Sequence, residues 1–165
     1  MTNSAVSNSE VLQITVERVL GRASKRLAHE IAGFWVLHGA VGNPDEIRRR
    51  IGEVLLVTRD REETIVAVAS IYPYPTSMPG PSIGFRAFTD PAWRRLSIMI
   101  MLHDAIVTTL DEAATEPTAV IFCTDNRKLM GRGNRRWYER RGWRRLSADG
   151  APKDEWMKMV GPPSA

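Results

Sequence analysis

Apolar and polar positions alternate over Val11 to Val19 (VLQITVERV), with Leu12, Ile14 and Val16 on one side, which predicts a first strand. The spacing then changes. Leu27, Ile31, Phe34, Trp35 and Leu37 recur at three and four and predict a helix over Lys25 to His38, with Gly39 and Gly42 as stops. Asn43-Pro44-Asp45-Glu46 reads as a second helix start: a capping Asn, a proline where the missing N–H costs nothing, and two acids near the positive end. Two β-rich runs follow, Glu53 to Thr58 and Ile65 to Ile71, separated by the charged turn Arg59 to Glu63. Tyr72 to Pro81 carries four prolines in ten residues and predicts a stiff loop leading to a strand over Ser82 to Phe88. Asp90-Pro91 is expected to open a long helix whose stripe is Ile98, Met101, Leu102, Ala105, Ile106, Thr109, Leu110 and Ala113. Thr118 to Cys123 (TAVIFC) is the most apolar run and reads as a central strand buried on both faces, Cys123 included. Asn134 to Arg141 predicts a short helix ended by Gly142, with last strands at Trp143 to Leu146 and Glu155 to Val160.

This order carries no repeat and no second set of elements. It predicts one α/β domain over 11–160, between a flexible N-terminus (1–10) and a flexible tail (161–165). The strand–helix–strand unit near the middle argues for a mixed sheet with helices on both faces. Composition adds exclusions. With 165 residues, 43% hydrophobic, the chain is long enough for one substantial core. A single cysteine forms no internal disulfide and supplies no thiolate cage, and His29, His38 and His103 are too dispersed to suggest a metal. No apolar run approaches the ~18 residues of a membrane span, and the first ten residues lack the apolar stretch of a secretory signal, so a cytoplasmic protein is expected.

Charge changes the picture more. The chain is +4, but Asn126 to Leu146 holds nine basic residues against Glu139 alone, so this segment is +8 and the remainder −4. Such asymmetry points to an anionic partner, either cofactor phosphates or a nucleic acid along Arg127 to Arg145. The competing reading is a solvated, arginine-rich face.

Trp137-Tyr138-Glu139-Arg140-Arg141-Gly142-Trp143, together with the element order, resembles the GNAT superfamily of acyl-CoA-dependent N-acetyltransferases. The resemblance runs from about Val11 to Val160, mostly as order of elements. It implies a mixed, mostly antiparallel central sheet with helices on both faces, in the order β-α-α-β-β-β-α-β-α-β-β. It implies acetyl-CoA as co-substrate, with no metal. The family binds the pyrophosphate at a glycine-containing loop opening the central helix, where unsatisfied N–H groups face an anion. The corresponding stretch here is Arg94, Arg95, Leu96, Ser97, Ile98 and Met99. Ser97 and Met99 replace the two glycines, and Arg94 and Arg95 bring side-chain charge suited to phosphate. Phe88 and Asn126 complete the cofactor-binding set that the resemblance implies. The interval from Asn126 to Tyr138 is twelve residues, longer than the family pattern, with a basic insertion at Lys128 to Gly133.

The resemblance assigns Tyr138 as the acid that protonates the departing CoA thiolate, a task for a positioned group of high pKa; the alternative is a tyrosine packing its helix onto the sheet. A general base is not evident. Ser82 to Phe88 has no carboxylate, and His38, His103, Asp104, Asp125 and Glu53 have no distinguishing position. The acceptor is expected to be a primary amine. The +8 segment disfavours a polycation and favours an anionic carrier, such as an aminated base in DNA of the kind found in modified phage genomes, with Trp137, Trp143 and Trp156 available to stack it. A protein or small-molecule amine stays open, as do a homodimer and, from another class, a non-catalytic nucleic-acid-binding domain on the same scaffold.

Overall fold

Ser24 and Asn43 start the first two helices through their side chains. Ser24 Oγ accepts from the Leu27 N–H at 3.2 Å, and Asn43 Oδ1 accepts from Asp45 and Glu46 at 2.9 and 3.3 Å. In the chain's computed structural model these helices are α1 (Lys25–Leu37) and α2 (Pro44–Ile51). Residues 14–126 and 129–163 are described. The N-terminus 1–10, Val11 to Gln13 of the expected first strand, Arg127 and Lys128 of the basic segment, the last two tail residues and the Leu96 side chain lie outside that description. The strands are β1 (Thr15–Arg18), β2 (Val54–Arg59), β3 (Ile65–Pro73), β4 (Ser82–Thr89), β5 (Thr118–Thr124), β6 (Arg144–Arg145) and β7 (Asp154–Val160). The long central helix is α3 (Leu96–Ala113), and α4 (Arg132–Arg140) precedes β6.

Among the described residues the strands form one seven-stranded sheet in the order β1-β2-β3-β4-β5-β7-β6. Every pairing is antiparallel except β4 with β5. This is the expected mixed α/β sheet. Leu27, Ile31, Phe34 and Trp35 of α1 bury against Val57 and Val68 on one face. On the other face, Ile106 and Leu110 of α3 and Tyr138 of α4 bury against Ala69, Phe85, Val120 and Phe122. Apolar spacing of three to four on each helix meets the period-two pattern of the strands, so each sheet face is covered by one helix pair.

Three expectations need correction. The stiff loop begins later, because β3 continues through Tyr72 to Pro73, which pairs with Ile83 at the strand's end, where a missing N–H is tolerated. Asp90-Pro91 does not open α3. The Asp90 side chain accepts from Ala92 N–H and caps a separate 3-10 turn over Pro91–Trp93, and α3 starts afresh at Leu96. Cys123 is exposed, although Thr118 to Phe122 are buried as expected. The reason is tertiary: β5 loses its β4 neighbour before reaching Cys123.

Candidate active site

β4 and β5 pair only from Ser82 with Ala119 to Gly84 with Ile121. Beyond that point β4 follows β3 as far as Thr89, and β5 follows β7 as far as Thr124. The strands therefore part, and the wedge between them is a cleft of about 820 Å³. Phe85 to Thr89 and Phe122 to Thr124 form its two walls, and Ile98, Met99, Leu102 and His103 of α3 also line it. Arg94 and Arg95 join from the turn before α3, and Asn126, Leu129 and Asn134 from the segment after β5. Among the described residues no aspartate or glutamate lines the cleft, while three arginines do.

Of the cofactor-binding residues expected from the sequence, Phe88, Arg94, Arg95, Ile98, Met99 and Asn126 are thus brought to one cleft. Arg94 is held over the Phe88 ring, 5.3 Å from its centroid, and its Nε–H donates to the Thr89 carbonyl at 3.0 Å. No side chain caps α3 at Arg95, so its first amides have no side-chain acceptor. Ser97 is exposed in that first turn and is not among the lining residues; Ile98 is 2% exposed and packs mainly with Ala67 and Leu102. The Asn126 carbonyl accepts from the Leu129 and Met130 amides at 2.8 and 3.0 Å.

Tyr138 does not line the cleft. It is fully buried, its hydroxyl donating only to the Met99 thioether sulfur at 3.8 Å, and burial pushes it up to about 12. Its ring sits 5.7 Å from His103, 5.1 Å from Phe122 and 5.1 Å from Trp156. Met99 and His103 both belong to the cleft wall, so Tyr138 stands one side chain behind it. His103 is itself buried, caged by Phe85, Phe122, Tyr138 and Trp143, with Nδ1 lacking a partner. Burial lowers it to about 4, so the imidazole is neutral at pH 7.

Reading the sequence missed Arg86, Cys123 and their neighbours as cleft residues. Arg86 shares a face of β4 with Gly84 and Phe88, on the α1 side of the sheet. Its guanidinium lies 4.7 Å above the Tyr72 ring and pairs with Glu53. Burial, then the charge of Arg50, lowers the Arg86 pKa from its usual value. A lone charge between Phe85 and Phe88 in an apolar strand was the available signal. Beside Cys123, the Tyr74 hydroxyl donates to Glu155 at 2.9 Å and so takes the Cys123 thiol, 3.4 Å away, as its donor. The hydrogen bond with Cys123, burial and the bond to Glu155 hold that phenol well above its usual range.

The basic segment is less bare than its sequence. Arg135 and Arg145 both grip the fully buried Asp154, at 3.0 and 2.8 Å, and Arg141 pairs with Asp104 at 3.2 Å while covering the Trp137 ring. Trp143 and Trp156 are 4% and 0% exposed in the core, so neither is available to stack a base. Among the described residues no group of three or more His, Cys, Asp or Glu side chains could hold a metal ion, and no helix is long and apolar enough to cross a membrane.

No protein-family model and no curated sequence matches the chain. Solved structures do. A GNAT-superfamily phosphinothricin acetyltransferase from Sinorhizobium meliloti, solved with AcCoA, superposes with a TM-score of 0.64 at 11% identity, covering 91% of this chain and 90% of that one. The GNAT-family N-acetyltransferase YhbS from Escherichia coli, solved with CoA, gives 0.59 at 16% identity over 96% and 84%. A protein described as histone acetyltransferase HPA2 and related acetyltransferase, from Corynebacterium glutamicum, gives 0.58 at 17% over 93% and 100%. The fold is that of the GNAT acetyltransferases. At these identities the likeness is one of fold, and the chemistry rests on the cleft's own residues.

Proposed function

We propose that this chain transfers an acetyl group from acetyl-CoA to a primary amine. The observation that carries the reading is the wedge between β4 and β5, walled by both strands and by the uncapped start of α3, with arginines and, among the described residues, no carboxylate on its lining. These residues fit a polyanionic thioester. Arg94 and Arg95, with the Leu96 and Ser97 amides at the start of α3, supply positive charge and donors for phosphates without the glycines of the family loop, while the Ile98 and Met99 amides already donate to the Arg95 carbonyl. Phe88, Met99 and Asn126 line the apolar and polar stretches in between.

When bound, the thioester supplies an activated acetyl group whose C–S bond breaks as the amine's C–N bond forms. Tyr138 is the residue for returning a proton to the leaving sulfur, because its phenol stays protonated up to about 12. Its hydroxyl meets the cleft only where Met99 stands, so Met99 must yield for the proton to be delivered. His103 is neutral at working pH and lines the same wall. With no carboxylate among the described lining residues to serve as base, the acceptor arrives as a free amine or loses its proton to water. A nucleic-acid acceptor has less support than the bare charge run suggests, since Arg135, Arg141 and Arg145 are already paired with carboxylates.

Calorimetry with acetyl-CoA, desulfo-CoA and a DNA duplex as parallel ligands tests the reading. Saturable binding of acetyl-CoA that a DNA duplex does not compete away, followed by CoA release with amine acceptors, is expected. Salt-sensitive duplex binding with no acetyl-CoA affinity would move the chain to a nucleic-acid-binding role.

A further inference from the structure

Arg86 is the one charged residue that β4 contributes to the cleft lining, and its side chain lies on the sheet face opposite α3. Its setting is built from several positions. Tyr72 pairs with Gly84 across β3 and β4, and a Cβ on Gly84 would fall 2.5 Å from the Tyr72 ring, so glycine there lets the ring lie flat over the strand. That ring carries the Arg86 guanidinium at 4.7 Å. Glu53 holds one terminal nitrogen of Arg86 and is itself shared with Arg49 at 2.5 Å. Arg50 pairs with Glu46 on α2. Three cations thus face two carboxylates, leaving one positive charge in excess. The Nε atoms of Arg86 and Arg50 are both buried without a hydrogen-bond partner. A guanidinium offers five donors in a planar fork, and Glu53 uses only part of this one.

A salt bridge serving stability alone would need neither the flat aromatic platform nor an excess cation beside a ligand-sized cleft whose described lining residues include no carboxylate. We propose that Arg86 anchors a carboxylate on the acceptor, so that the acceptor is an amine that also carries an acid, an amino acid being the simplest form. The inference rests on acetyl transfer at this cleft and narrows its substrate. Tyr72 fixes the guanidinium's plane and Glu53 holds one terminal nitrogen, leaving the other terminal nitrogen for a carboxylate. The amine at the acceptor's other end then points into the wedge toward the thioester.

The test is a panel of α-, β- and γ-amino acids, each paired with its amide. Binding is measured by calorimetry with CoA present, and turnover by CoA release. The variants are Arg86→Lys and the charge-balanced pair Arg86→Gln with Glu53→Gln, each checked for an unchanged circular dichroism spectrum and melting profile. At least one acid is expected to exceed its amide by about tenfold or more in kcat/KM, the scale of one charge-assisted hydrogen bond. The double variant erases that preference through KM and leaves acetyl-CoA affinity unchanged, while Arg86→Lys, which keeps charge but not the fork, retains part of it. Equal use of acids and amides, or a preference that survives in the double variant, overturns the inference. If acetyl-CoA binds and no acid does, the acidic acceptor falls and acetyl transfer stands. If an acid binds through Arg86 and acetyl-CoA does not bind, acetyl transfer falls and the anion site stands.

Discussion

The Tyr138 hydroxyl lies 3.8 Å from the Met99 sulfur, its one hydrogen-bond partner among the described residues. Met99 also lines the cleft, so the side chain that walls the cleft is the one that closes the tyrosine off from it. One long, flexible thioether links the two features, and methionine is the apolar residue best able to swing aside.

Tyr138→Phe removes a hydroxyl whose single partner is a weak acceptor, so stability should change by under about 1 kcal/mol. Turnover should fall by about 100-fold or more, the scale of one general acid, with acetyl-CoA affinity kept. Steady-state CoA release beside calorimetry checks both; retained turnover removes Tyr138 as the acid.

Met99→Ala should open the cleft to Tyr138. The expected outcome is turnover equal to or above that of the parent, with a stability loss of about 1–2 kcal/mol for a half-buried side chain. Ultraviolet titration should show the Tyr138 phenol ionising below its present value of about 12, because water now reaches it. A phenol that titrates as before would mean that Met99 is not its seal.

His103 couples stability to acid. Its folded pKa of about 4 lies below the unfolded value near 6.5, so the unfolded chain takes the proton first. The stability that neutral His103 confers is complete above about pH 6.5 and is lost as pH falls toward 4, by up to about 3 kcal/mol. Denaturant unfolding at pH 7 and pH 4.5 measures the loss, and His103→Phe should flatten it. An equal loss in that variant would assign the acid sensitivity elsewhere.

Asp154 is fully buried between Arg135 of α4 and Arg145 of β6. Asp154→Asn keeps the shape but leaves two guanidinium groups facing a neutral amide, and should cost about 3–5 kcal/mol. It should also free the two cations and steepen salt-dependent binding to a DNA duplex. A variant as stable as the parent would show that the two arginines find water instead.

Gly84→Ala tests the platform under Arg86. The new methyl meets the Tyr72 ring at 2.5 Å, against backbone that cannot retreat within a paired strand, and a loss of about 1–3 kcal/mol is expected in thermal unfolding.

The periodicities of this sequence determined most of its elements, because apolar spacing and caps act over a few residues. Ser24 and Asn43 start their helices as their side chains dictate, and Gly142 ends α4 with φ of 79°, a left-handed value that favours glycine. The motif around Tyr138 and the run from Arg94 to Met99 were legible for the same reason. What the tertiary structure decided is where strands part company. Thr118 to Cys123 reads as one buried strand, yet its last residue is exposed, because β4 leaves β5 after Gly84 and Ile121. That departure makes the cleft, brings Arg86 and His103 to its wall, and sets Met99 in front of Tyr138. Likewise, nine cations in one segment read as a bare positive face, and only the fold brings Asp104 and Asp154 against three of them. Local chemistry names the elements, but strand register and charge pairing are set by residues far apart in the chain, which no local pattern encodes.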